Sequence, residues 1–412
     1  DNRAAFQAAL DCAGSGVAAG CARRVHPGVR HTGDARIAAA RARQAQAFYL
    51  EAQTRPPVAI FCNQFIAFGA RPGTLPADYF ENPDAMTRHQ LAYYKARMER
   101  INDDFVPYLL PGYGTGVLAS AFGAEIIFPE NSDPAVAHPC ITSLDDIDAL
   151  ELPDPTRDGL MPRVLDTIDC MRAYGELPVG LTDMQSTLAT CCLLCGHSRL
   201  FMWMYDAPDK VHQLFELVNR ALLDWIVVQK EHSGEPLNSA YAQLLCLPAG
   251  CGVVLAEDDA TSISAKLYHE FCLPYNAQLF TALGGGMLHF CGDATHQIPN
   301  YAVMDGLRGF HILPLGKLDV LVKMQRALGE RMFIAAGEFL PLNTRTYYHE
   351  LLSRLDPRGL ILIPYVVETL RLAGGGYMAA DNDLLEAAAE VADTIASFYD
   401  DTPATPAEAR GM

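Results

Sequence analysis

The chain has 412 residues, half of them hydrophobic and 19% charged, so it can bury a large core and global disorder is excluded. Its net charge of −18 excludes nucleic acid or an anionic membrane as the main partner, because a polyanion would be repelled. No run of about 18 uncharged apolar residues occurs, so no bilayer-spanning segment is predicted.

Residues 1–36 are Ala-rich and broken by Gly14, Gly16, Gly20 and Pro27. They predict a peripheral N-terminal helical extension. They lack the basic start and apolar stretch of a secretory signal. The twelve irregularly placed cysteines suit reduced thiols, so a cytoplasmic location is expected. A strong helix is predicted over Ile37–Ala52, followed by a short buried strand at Val58–Phe61 bounded by prolines. "NPDAMTRHQLAYYKARMERIN" predicts a helix capped by Asn82 with Pro83 in its first turn. "FVPYLLPGYG" and "AEIIFPE" are extended, "LMPRVLDTIDCMRAYG" helical and "LPVGLTDMQ" a strand. A long amphipathic helix runs to Ser233-Gly234. Strands at "GVVLAEDDA", "GMLHFCGD", "GFHILPLG", "RMFIAAGE" and "GLILIPYV" then alternate with helical stretches. Such alternation predicts a parallel sheet, and roughly eight βα units favour a closed (β/α)8 TIM barrel over residues 37–400. The Pro/Ala/Thr-rich residues 401–412 predict a flexible tail.

Barrels of this kind carry their chemistry at the carboxyl ends of the strands. Those ends hold Cys62, Asn63 and Gln64; Thr182, Asp183 and Gln185; Glu257, Asp258 and Asp259; His289 and Cys291; His311; and Glu338. His289 and Cys291 are the sharpest pair. Residues two apart in a strand share a face, and an imidazole beside a thiol is half of a zinc site. The plainer reading is a small core cysteine beside a hydrogen-bonded histidine. His311, Glu257 and Asp259 are candidates for a third ligand. Glu257–Asp259 equally suit a general base, substrate acceptors or a solvated loop capping a helix. Cys191, Cys192 and Cys195 sit in the apolar stretch "TLATCCLLCG" and are read as packing residues, and Cys246 and Cys251 as structural thiols. The glycine runs 284–286 and 374–376 lack a GxGxxG frame, and Gly286 is expected to ease a tight turn into a strand.

The order of motifs resembles the uroporphyrinogen decarboxylase superfamily, and within it the cobalamin-dependent methyltransferases. The stretches that carry the likeness are "LPVGLTDMQSTLATCCLLCG", "DDATSISAKLYHEFCLPYNAQL", "LHFCGDATHQIP" and "LRLAGGGYMAADND". The resemblance implies a TIM barrel with its site at the carboxyl-end mouth. True decarboxylases of the family carry an Arg-Gln-Ala-Gly-Arg stretch near the first strand to hold porphyrinogen carboxylates. Here that place reads "IFCNQFIAFGAR". The methyltransferase branch uses His-x-Cys and a later cysteine as zinc ligands. His289 and Cys291 match the first two, but no cysteine follows Cys291. Asp381 or Asp383 would replace it, or His311, Glu257 or Cys251 would complete the site, or zinc would be absent.

The resemblance therefore implies a zinc-dependent methyltransferase moving a methyl group between a small methylated donor, or a thiol acceptor, and a corrinoid protein. The metal ligands expected are His289, Cys291 and His311. Asp183, Glu257 or Asp259 would handle the proton, and Asn63, Gln64 and Gln185 would orient the substrate. Methylcobalamin, or another corrinoid, would arrive on a separate partner protein, and a homodimer is compatible with this scheme. The alternatives are a metal-free decarboxylase or lyase, in which Asp183 stabilises a protonated ring nitrogen, and a non-catalytic ligand-binding barrel.

Overall fold

The computed structural model describes residues 35–62, 75–129, 133–339, 344–366, 369–371, 377–379 and 384–400. Most of the expected N-terminal extension and all of the tail 401–412 lie outside the described residues, as do Asn63, Gln64, Asp381 and Asp383.

Six strands make one parallel sheet: β1 (Phe61–Cys62), β2 (Val253–Ala256), β3 (Gly286–Cys291), β4 (Leu307–Leu313), β5 (Phe333–Phe339) and β6 (Leu360–Val366), in the spatial order β1-β6-β5-β4-β3-β2. β2 to β6 thus lie side by side in chain order, each joined to the next through helical connections, as βα units require. Their cores are apolar runs with nearly every residue buried, the pattern of strands covered on both faces. Backbone pairing continues past both edges. Gln185 bridges Ala256 and Leu109 bridges Val179, both in parallel sense, while the amide of Asp104 donates to Val58 O at 2.6 Å. "LPVGLTDMQ" and "FVPYLLPGYG" thus contribute single bridges rather than full ladders. "AEIIFPE" departs from the sheet: Ile126–Ile127 pairs antiparallel with Ala135–Val136.

Helices α1 (Ala35–Phe48), α2 (Pro83–Arg100), α3 (Thr187–Cys195), α4 (His197–Asp206) and α5 (Pro208–Ser233) precede β2. The Asn82 side chain caps α2 by accepting from the amides of Asp84 and Ala85, and Gly234 closes α5 at φ 75°. A hairpin, Ala240–Ala242 with Leu245–Leu247, also precedes β2. Its turn residues Gln243 and Leu244 both sit at positive φ (49° and 64°), which no sequence rule expects of them.

β1 is fixed by two buried carboxylates. Arg97 reaches Asp103 with two bonds of 3.1 and 2.6 Å, donates to Ile60 O at 2.8 Å, and lies 4.0 Å over the Phe105 ring. Asp104 accepts from Arg43 Nε at 2.6 Å, Arg55 Nη1 at 2.7 Å and the amide of Val58 at 2.9 Å. These planar guanidinium pairings fix α1 and the end of α2 against the first strand. At the start of β3, a Cβ on Gly286 would stand 2.0 Å from Phe280 Cδ1, so only glycine lets the strand pass this ring.

Candidate active site

A cavity of about 490 Å³ opens where the carboxyl ends of the strands converge. Aromatic rings form much of its wall: Phe61 and Tyr365 stack with centroids 4.6 Å apart, and Phe339 lies 5.5 Å from Tyr365. Thr182, Asp183, His289 and Cys291 supply polar atoms. Among the described lining residues there is no Lys or Arg.

His289 and Cys291 are the fourth and sixth residues of β3 and so share a face. Cys291 Sγ lies 3.7 Å from His289 Nε2. The third donor comes from the turn after β2. There a 3-10 helix, Asp258–Thr261, directs Asp258 back over β3, with Oδ1 3.8 Å from His289 Nε2 and accepting the amide of Cys291 at 2.6 Å. One ligand atom from each of Asp258, His289 and Cys291 thus falls within 4.8 Å of the others. A carboxylate, an imidazole and a thiol are a donor set that zinc accepts.

The tautomer is set from behind. His289 Nδ1 lies 3.2 Å from His311 O, an acceptor only, so Nδ1 carries the proton and the Nε2 lone pair faces Cys291 and Asp258. Burial, outweighing the pull of Asp258 and Asp183, holds the imidazole below its usual pKa and therefore neutral. Burial and the nearby Asp258 raise the Cys291 thiol, so ion binding would release a proton. These residues therefore fit a zinc ion by donor chemistry and by tautomer.

His311 occupies a different station from the one the sequence suggested. Its ring is fully buried, 4.7 Å from that of His289 and 6.0 Å from that of Tyr365, with Nε2 3.4 Å from the Tyr365 hydroxyl. Burial and the neighbouring His289 hold it well below its usual pKa. It supports His289 rather than joining the donor group, because β4 pairs His311 directly beside His289 and brings its carbonyl to the imidazole.

The three consecutive acids point three ways. Glu257 is buried behind the sheet, accepting from Asn276 Nδ2 at 2.8 Å and from the Tyr268 hydroxyl; burial pushes its carboxyl up to about 7. Asp258 is exposed and reaches His289 and the amide of Cys291. Asp259 turns outward to His197, 2.7 Å away, and does not line the cavity. Neither Glu257 nor Asp259 therefore stands where a substrate proton could be exchanged. Asp183 does. It faces the open cavity, so solvent reaches it although protein surrounds it, and its carboxyl is raised by loss of bulk water. Gln185 Nε2 donates to it at 2.8 Å, so Gln185 orients Asp183. The Thr182 hydroxyl beside it is buried without a hydrogen-bond partner among the described residues. Glu338 accepts from the amides of Gly316 and Phe339 and from the Tyr347 hydroxyl, and serves the rim of β5. The aromatic wall escaped the sequence reading, although Tyr365 in "LILIPYV" sits at a strand's carboxyl end, the signal by which it could have been found.

The sequence profile described as "Uroporphyrinogen decarboxylase (URO-D)" matches residues 40–332. Curated relatives include uroporphyrinogen decarboxylases from Pseudomonas paraeruginosa, 27% identical over 174 residues, and from Xanthomonas oryzae pv. oryzae, 27% over 177 residues. The first match covers 40% of this chain and 43% of the relative, the second 41% and 44%, so the chain spans less than half the length of these relatives. Among solved structures, a methyltransferase from Methanosarcina mazei aligns with TM-score 0.62 and 18% identity, covering 87% of this chain and 99% of that one. At that identity the likeness is one of fold. Matched over most of its length, the chain belongs to the uroporphyrinogen decarboxylase family.

Proposed function

We propose that this protein is a methyltransferase whose eight strand segments close into a (β/α)8 barrel, with zinc held at the mouth by Asp258, His289 and Cys291. The observation that carries this reading is the convergence of those three donors on the carboxyl end of β3, with the His289 tautomer fixed by the His311 carbonyl. Bound there, zinc would supply a Lewis acid with a position open to a sulfur or oxygen atom. The chain's own residues do the rest. His289 and Asp258 orient the donor face, Asp183 with Gln185 behind it takes or returns a proton at the substrate heteroatom, and the Thr182 hydroxyl donates to that atom. Phe61 and Tyr365 shield the reacting pair from water. The methyl group would be exchanged with a corrinoid on a partner protein that meets the mouth, in the cytoplasm.

One observation favours a decarboxylase: Asp183 faces the open cavity, where its carboxylate would stabilise a protonated ring. Against it stands the lining, which among the described residues offers no Lys or Arg to a polycarboxylate porphyrinogen.

Three measurements divide the two. Elemental analysis should give zinc in the wild type and lose it on Cys291→Ala. A panel of methylated compounds and thiols, incubated with a corrinoid protein, should change the cobalt spectrum. A porphyrinogen turnover assay should be silent. Porphyrinogen turnover with metal-free protein would reverse the assignment.

A further inference from the structure

A second group of ligand atoms lies on the outer side of the same turn. Cys192 Sγ from α3, His197 Nε2 from the first residue of α4, and an Asp259 carboxylate oxygen all fall within 4.8 Å of one another. None of the three lines the cavity. The arrangement is graded from inside to outside. Cys192 is 2% exposed, the Asp259 side chain 14% and that of His197 59%, so an ion could enter from solvent and meet a sulfur that never leaves the interior.

The local structure explains why the donors converge. Gly196, at φ 80°, breaks the helical run between α3 and α4 and turns the His197 ring back across the end of α3. Cys192 sits one turn before that break among the core residues, and its thiol also meets the Asp259 carboxylate. A thiol that served packing alone would have no reason to meet a partly buried carboxylate whose other neighbour is an imidazole. The geometry points to a second divalent-ion site, of the zinc class, formed by Cys192, His197 and Asp259 with its remaining position open to water. Sulfur, nitrogen and oxygen donors together favour zinc over magnesium or calcium, which prefer oxygen alone. Ion binding would expel the thiol proton and replace the His197–Asp259 hydrogen bond with two ligand bonds.

The site has a structural consequence for its neighbour. Asp258 and Asp259 are consecutive residues of one 3-10 turn, the first aimed at His289 and Cys291, the second at Cys192 and His197. An ion on the outer side would tie the turn to α3 and α4 and hold Asp258 in register over β3.

Co(II) alone, titrated into chelator-treated protein, tests this. The background is Cys291→Ser, which disables the inner group. That protein should still take up one Co(II) per chain and show a cysteine-to-cobalt charge-transfer band. Adding Cys192→Ser should abolish the band and weaken binding at least about tenfold; adding the exposed His197→Ala instead should weaken binding similarly while keeping the band. If Cys291→Ser alone removes all stoichiometric Co(II), the inner site stands and the outer one is overturned. Unchanged Co(II) binding in both double variants overturns it too. Loss of the band with Cys192→Ser upholds the outer site whatever happens at the inner one.

Discussion

Glu257 measures how strongly the interior of this protein opposes charge. Its side chain is 1% exposed and titrates near 7 instead of 4.5. Burial penalises the carboxylate more than the donors Asn276 and Tyr268 favour it, and Asp259 adds repulsion. The folded carboxyl holds its proton more tightly than the unfolded one. Its stabilising contribution is therefore complete below about pH 4.5 and is lost as pH rises through about 7. The interval from 4.5 to about 7, at 1.36 kcal/mol per pH unit, corresponds to about 3 kcal/mol. Glu257→Gln keeps the oxygen that accepts from Asn276 and turns an amide toward the Tyr268 hydroxyl, which can accept it. Urea unfolding of chelator-treated wild type and variant, compared between pH 4.5 and 8, should show the variant gaining up to about 3 kcal/mol on the wild type as pH rises. Parallel pH profiles for the two proteins would refute the reasoning.

Four further outcomes are expected. Arg97→Met leaves Asp103 buried without its bidentate partner and should cost about 3–5 kcal/mol of stability, read by denaturant midpoint. Gly337→Ala would place a Cβ 2.9 Å from His311 Nε2 and 3.1 Å from Leu313 Cγ; it should cost about 1–3 kcal/mol and weaken Co(II) binding at the inner group by displacing His311. Asp183→Asn should lower kcat in the methyl-transfer assay by about 100-fold or more with little change in metal content, since it removes a proton-handling group and no ligand. Thr182→Val should raise KM for substrates with a hydrogen-bonding heteroatom by about tenfold, the worth of one buried hydrogen bond, while leaving the zinc content unchanged.

The sequence was most legible where geometry is short-range. A period of two in "MLHFC" suffices to put His289 and Cys291 on one face, and alternating strands and helices suffice for a parallel sheet. The Asn82 cap and the Gly234 stop follow from local chemistry in the same way. Legibility failed at "EDD". Three acids in a row carry no periodicity, and the 3-10 turn that separates them depends on packing against α3 and β3. The sequence reading therefore passed over Asp258 and named its neighbours Glu257 and Asp259 as candidate ligands, and His311 looked like a ligand because the strand-end argument locates a residue without saying whether its side chain or its carbonyl does the work. The Ala240–Leu247 hairpin was hidden for a different reason. Its turn places Gln243 and Leu244 where glycine or asparagine would ordinarily announce it.

The 3-10 turn after β2 has a bearing on how relatives of this chain should be compared. The three carboxylates at its start, Glu257, Asp258 and Asp259, serve an interior hydrogen-bond network, the donor group at the end of β3 and the outer helices, respectively. Exchange of any one alters one of those duties and spares the others. A single inserted or deleted residue would instead rotate every station at once, sending an interior acid to solvent and a rim acid inward. Relatives that share this arrangement should therefore align through the turn without a gap, however far the flanking helices have diverged.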